Sequence, residues 1–150
     1  MRFSVDTNIL VYATFNQDEE KHRAAFGIME RAQNLDCVVT LQAVGELFHT
    51  LTRRLNVSAV QATTVVHKWR SAITVVTADE ACLVDAMDSV VGHGLPFWDA
   101  MLWATVKRVG CRLLVTEDGQ DGFALGGVTW VNPFASPRSP LLVQALSAPR

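Results

Sequence analysis

Short apolar runs alternate along the chain with longer stretches in which apolar residues recur every three or four positions. Arg2 to Val5 is a β-prone run that stops at Asp6-Thr7-Asn8, and Ile9, Leu10 and Tyr12 then begin a helical spacing. Residues 19–34 place Ala24, Ala25, Ile28 and Met29 on one face of a predicted helix, before Cys37 to Thr40 reads as a second strand. The rhythm is strand, helix, strand.

It continues in the same way. Val44, Leu47, Phe48 and Leu51 give helical spacing from about Leu41 to Leu55, closed by Arg53 and Arg54, which suit a helix C-terminus. Ser58 is a predicted N-cap for a helix through Trp69; Ile73 to Val76 reads as a strand, and Asp79 to about Val91 as a helix ended by Gly92-His93-Gly94. Pro96 permits an extended approach to Asp99, whose side chain is read as the cap of a helix running to Gly110. Arg112 to Thr116 and Val128 to Val131 complete the strands, with a turn at Glu117 to Gly122 between them.

Strands separated by helices predict an α/β three-layer sandwich, its mainly parallel sheet covered by helices on both faces. Such sheets place their sites at the carboxyl ends of the strands, where Asp6 and Asp118 both fall. Residues 1–134 are read as the domain and residues 135–150, with three prolines, as a C-terminal tail. No internal repeat or linker divides the chain further.

Composition narrows the function classes. The 150 residues are 49% hydrophobic and 19% charged, enough for a packed core and unlike a disordered chain. Cys37, Cys82 and Cys111 are odd in number, far apart and set among apolar residues, so they read as buried small hydrophobes in a reduced, cytoplasmic setting. No apolar run approaches a membrane span and the N-terminus enters a strand too quickly for a signal peptide, so no membrane partner is expected. A net charge of −2 means that any nucleic acid is held by a local basic patch. Arg53, Arg54, Lys107, Arg108 and Arg112 are candidates for phosphate contacts, and no substrate-binding residue is assigned.

Four acids stand beside apolar neighbours instead of on charged faces: Asp6, Glu46, Asp99 and Asp118. Carboxylates seldom enter such surroundings without a partner, and clustered ones resist ionisation unless a cation neutralises them. Oxygen-only donors favour magnesium or manganese over zinc. Taken singly, Asp6 and Asp99 also suit helix caps, Asp118 a turn and Glu46 a solvated helix position. Rival motifs are weak: Glu46 and His49 make one Glu-x-x-His where a di-iron bundle needs two, and no Walker or G-x-S-x-G sequence occurs.

The acidic motifs, in this order and spacing, resemble those of the PIN-domain nucleases, most closely the VapC-type toxins of bacterial toxin-antitoxin pairs. The resemblance rests on Val5-Asp6-Thr7-Asn8-Ile9-Leu10, the Glu46 helix, Leu95-Pro96-Phe97-Trp98-Asp99-Ala100, the run from Leu113 to Gly122, and Val131-Asn132-Pro133-Phe134. It implies a PIN-like fold over residues 1–134 and a magnesium-dependent endoribonuclease, with manganese as an alternative ion. It makes Asp6, Glu46, Asp99 and Asp118 the catalytic and metal-binding set, Asp121 a second candidate for the fourth position, and Thr7, Asn8 and Thr116 polar support. It also implies an RNA substrate, a cognate antitoxin and a homodimer. Pro96, where such proteins often carry a serine-like residue, and the tail beyond Phe134 depart from the family pattern. The rival readings are a non-catalytic RNA-binding domain of this fold and another metal-dependent phosphoryl-transfer enzyme, such as a phosphatase with an aspartate nucleophile.

Overall fold

The computed structural model describes residues 1–147. Its strands are β1 (Phe3–Val5), β2 (Cys37–Thr40), β3 (Thr74–Val76), β4 (Leu113–Val115), β5 (Ala124–Leu125) and β6 (Val128–Val131). Its helices are α1 (Thr7–Thr14), α2 (Glu19–Ala32), α3 (Leu41–Arg53), α4 (Ala59–Ala72), α5 (Glu80–His93), α6 (Phe97–Arg108) and α7 (Pro140–Ser147). The sheet order is β3-β2-β1-β4-β6-β5, parallel throughout except for the antiparallel β5-β6 pair.

The central strands β1, β2 and β4 are buried throughout and mostly apolar because both faces are covered. Alternate residues enter different cores. Phe3, Val5, Val39, Leu113, Val115 and Val131 pack beneath α1 to α4 and α7, whereas Val38, Leu114, Val128 and Trp130 pack beneath α5 and α6. The expected three-layer arrangement is therefore the one observed. From β1 the chain moves through β2 to β3 on one side and returns to β4 on the other, so the strand order reverses between β1 and β4. In open parallel sheets, a crevice opens at the carboxyl ends of the strands flanking such a reversal.

Three details differ from the sequence reading or extend it. The α6 helix begins at Phe97, with Pro96 at the N-cap position and no side-chain cap. The ring of Pro96 fixes φ near −57°, which lets the helix start directly after it, so Asp99 sits inside the first turn and does not cap. Second, β5 and β6 form a tight hairpin whose two turn residues, Gly126 and Gly127, have φ of 57° and 80°. This is the glycine pair that a two-residue hairpin of this hand requires. Third, the segment beyond Phe134 contains α7, whose Leu142, Ala145 and Leu146 are buried in the first core.

All three cysteines are buried, as read from their neighbours, and burial pushes the Cys111 thiol up to about 12. Among the described residues, no helix is long and apolar enough to cross a membrane.

Candidate active site

Asp6 ends β1 and caps α1. Its backbone N–H donates to Val115 O, and its carbonyl accepts from Ile9, so the residue is clamped between β4 and the first helical turn. The side chain is only 9% exposed. Its Oδ1 accepts the Thr7 N–H at 2.7 Å, and its Oδ2 accepts the Thr116 hydroxyl at 2.9 Å. Both donors are neutral. Burial pushes the carboxyl up to about 6 against these two bonds, and the charges of Asp99 and Asp118 push it in the same direction.

Thr116 follows β4 across the sheet reversal and organises the loop beyond it. While donating to Asp6, its Oγ1 accepts the Asp118 N–H at 3.0 Å and Asn8 Nδ2 at 3.2 Å. Asn8 Nδ2 also donates to Asp118 Oδ2 at 3.2 Å. Thr116, Asn8 and Thr7 thus all hydrogen-bond to carboxylates of the group. Asn8 Oδ1, in contrast, is buried without a hydrogen-bond donor among the described residues.

Glu46 reaches the site from α3. It is exposed, not turned to the core with Leu47, and its Oε2 accepts the hydroxyl of buried Thr7 at 2.8 Å. Its Oε1 accepts from Gln42 Nε2, one helical turn earlier, at 3.0 Å. The same amide donates to Trp98 O at 3.1 Å, tying α3 to the start of α6 and thereby to Asp99. Asp99 is half-buried; burial raises its carboxyl above the ordinary range, and Asp118 and Glu46 add to the shift. Asp6 and Asp99 each feel other acids of the group, and among the described residues none of the four has a cation within salt-bridge distance.

Two concavities meet at Asp6, Asp99, Leu102 and Asp118. One, about 550 Å³, is lined by Asn8, Tyr12, Glu46, His49, Arg54 and Trp98 among others. The other, about 280 Å³, has a wall of Leu95, Leu114, Phe123 and Trp130. Asp121 lines neither: its Oδ1 accepts the Asn132 N–H at 2.8 Å and ties the loop to the end of β6.

Sequence reasoning missed several groups. Gln42 had a local signal in its i,i+4 spacing to Glu46. The buttress of Glu117 had none, because its partners lie far away in sequence: Tyr12 donates to Glu117 Oε1 at 2.6 Å and Lys21 Nζ to Oε2 at 2.8 Å. Of the five candidate cations for phosphate, only Arg54 lines the acidic clefts; Lys107 and Arg108 instead pair with Asp85 and Asp79.

Among the described residues, no three His, Cys, Asp or Glu side chains already form a metal cage. A magnesium site does not require one. That ion keeps several waters and is held by one or two carboxylates together with substrate phosphate. The donor chemistry fits it: oxygen ligands only, carboxylates that burial and mutual repulsion disfavour as anions, and a buried Asn8 oxygen lacking a donor.

The sequence matches the PIN domain family over residues 4–124. No curated protein matches it in sequence. Among solved structures, it is similar to the sarcin-ricin-loop-cleaving toxin VapC20 of Mycobacterium tuberculosis, at 18% identity and a TM-score of 0.61, over 75% of this chain and 86% of that one. It is similar to a toxin-antitoxin complex from Klebsiella pneumoniae at 18% identity, TM-score 0.62, covering 87% of this chain and 97% of that one. VapBC-1 of nontypeable Haemophilus influenzae gives 15% identity and a TM-score of 0.62, over 90% and 100% of the two chains. At such identities the likeness speaks for the fold.

Proposed function

Because the chain belongs to the PIN domain family, we propose that it is a magnesium-dependent endoribonuclease and the toxin of a toxin-antitoxin pair. The observation that carries this reading is the meeting of Asp6, Asp99 and Asp118 at the sheet reversal, with Glu46 beside them and, among the described residues, no cation in ion-pair distance of the group. A divalent ion, Mg²⁺ or Mn²⁺, supplies Lewis acidity and offsets the charge of a phosphodiester.

Asp6, Asp99 and Asp118 hold that ion, and Asp118 takes the fourth position in preference to Asp121, whose carboxylate faces Asn132. Thr116 and Thr7 fix the Asp6 carboxylate by two bonds, so both oxygens keep one orientation. Glu46, exposed and linked to Thr7, is the carboxylate best placed to orient an attacking water and take up its proton. Asn8 holds Asp118 in position. Arg54 and His49, in the larger cleft, meet the sugar-phosphate chain flanking the cut. Described residues at the acids include no serine or cysteine placed as a nucleophile, in keeping with direct attack by water.

A cytoplasmic nuclease of this type needs restraint, and an antitoxin that places an Arg or Lys among the unneutralised acids accounts for it. A homodimer is part of the same reading, and the exposed Leu83, Val84, Met87 and Val91 on α5 are a surface suited to it. The test is expression of the chain alone and together with the product of its neighbouring gene. Wild type alone should arrest growth and release discrete RNA ends; Asp6→Asn should do neither, and the neighbour should relieve the arrest. Harmless wild-type expression, with no neighbour that binds, contradicts the toxin reading. Light scattering should show twice the monomer mass at micromolar concentration, and a monomer there removes the dimer.

A further inference from the structure

The two clefts that meet at the acids differ in kind. The larger is polar and open, with Asn8, Gln17, Arg54 and the Tyr12 ring along it. The smaller is walled by Leu95, Pro96, Leu102, Leu114, Phe123 and Trp130, with His93 and Gln120 among its few polar groups besides the acids. A sugar-phosphate chain suits the first. The second, at about 280 Å³, sits near the ~300 Å³ where pockets for small organic ligands begin, with room for one heterocycle and not for a base pair.

Trp130 gives this cleft a specific polar feature. The other deeply buried tryptophans satisfy their indole N–H: Trp69 donates to Thr14 Oγ1 at 3.2 Å and Trp103 to Leu125 O at 3.0 Å. Trp130 is 5% exposed, as Trp103 is, yet its N–H has no protein acceptor among the described residues. The N–H is not among the fully buried unpartnered atoms, so it is open to solvent at the cleft, where an acceptor on a ligand would take the place of water. The Cδ1–Nε1 edge faces Gly119 at the cleft, where a Cβ built on the glycine lies 3.6 Å from Cδ1 and 4.0 Å from Nε1. Gly119 has φ of 78°, so the loop needs glycine there, and the absent side chain leaves the indole edge open.

We propose that the smaller cleft receives one unstacked nucleobase from a nucleotide adjoining the scissile phosphate, and that Trp130 donates its indole N–H to an acceptor on that base. The inference rests on the ribonuclease reading and deepens it. Asp6, Asp99 and Asp118 form one wall of the cleft, so a phosphodiester held by these acids puts one of its two flanking bases at the cleft mouth. Phe123, partly exposed and 5.1 Å from the Trp130 ring centre, supplies an aromatic surface for it. Single-stranded RNA is read in this way, by bases splayed from the chain against aromatic side chains and bonded along their edges. The consequence is a substrate unpaired at one particular nucleotide beside the cut.

The test begins with total cellular RNA and magnesium, from which mapped ends define a cut. A synthetic RNA spanning that cut is then made intact, and with an abasic residue at either flanking position. Wild type should lose about tenfold or more in kcat/KM, chiefly through KM, when one of the two bases is removed. Trp130→Phe keeps the aromatic packing; it should cut intact RNA several-fold less well and the abasic RNA at the wild-type rate, which also reports an intact fold. Trp130→Phe thereby reduces the penalty for base removal, and Leu95→Trp, which fills the cleft mouth, should erase it. If wild type cuts but neither abasic position matters, or both variants keep the full penalty, the base site is wrong and the nuclease reading stands. If wild type releases no magnesium-dependent ends, the nuclease reading fails and takes the inference with it.

Discussion

Glu117 and Asp118 are neighbours in the chain and opposites in their surroundings. Glu117 is ion-paired to Lys21 and accepts the Tyr12 hydroxyl, whereas the Asp118 carboxylate, beside Asp6 and Asp99, accepts among the described residues only from the Asn8 amide. Three other acids repeat the paired side of this contrast. Asp36, Asp79 and Asp85 pair with Arg2, Arg108 and Lys107, while Asp6, Glu46, Asp99 and Asp118 are held by neutral donors or by none. The ion-paired acids tie elements together at the surface, while the four at the sheet reversal stand beside one another with no cation among the described residues in ion-pair distance, a repulsion that a bound cation would offset. Such an arrangement lowers stability locally, and carboxylates perturbed in this way mark a candidate site.

The largest expected effect separates the two groups by activity. Asp6→Asn and Asp99→Asn should each lower RNA cleavage on the order of 10³-fold, the scale at which transition-state charge stabilisation is lost, whereas Glu117→Gln should cost less than about tenfold. Initial rates at saturating magnesium decide it, and comparable losses in all three variants would erase the distinction.

Stability should move in opposite directions. The Asp6 carboxyl lies near 6 in the folded chain against an ordinary 3.8, so the folded state retains a proton that the unfolded state has released between these values. Stability of the metal-free protein therefore falls as pH rises through that window, by about 3 kcal/mol in full, and the loss persists above it. Asp99, raised in the same direction, adds to the fall. Asp6→Asn should remove most of this dependence and stabilise the metal-free protein at pH 7 by about 1–3 kcal/mol. Urea melts in a chelator from pH 4 to 7 measure both effects; a wild-type curve that rises with pH contradicts the assignment.

Glu117→Gln should destabilise instead, by about 1 kcal/mol, since it leaves a half-buried Lys21 without its counter-charge. Asp36→Asn, at an exposed pair, should change stability by no more than about 0.5 kcal/mol. Chemical denaturation of the two variants side by side orders them.

Much of this architecture was legible because local pattern and burial coincide. Strands such as Val38-Val39 and Leu113-Leu114-Val115 are buried on both faces, and the Ser58 cap and the apolar spacing of α3 announce their helices. What escaped depends on neighbours remote in sequence or on elements too short to carry a period. The two-residue β5 has no alternation to read, and its glycine pair was the only signal. The prolines near residue 140 hid α7, although Leu142, Ala145 and Leu146 have helical spacing and Pro140 occupies the helix's first position, where proline is tolerated. Asp99 was read as a cap because its type suits one; the ring of Pro96 starts the helix earlier. The acids themselves were identifiable by their apolar flanks, but the Gln42 link to Trp98 and the Lys21 link to Glu117 exist only in three dimensions.

The most direct test of the central claim is RNA cleavage by the chelator-treated protein as magnesium is added back, wild type beside Asp6→Asn. The account predicts no cleavage in chelator, recovery with added magnesium in the wild type, and a recovery lower on the order of 10³-fold in the variant. Cleavage in chelator, or equal magnesium-dependent cleavage by both proteins, would contradict it.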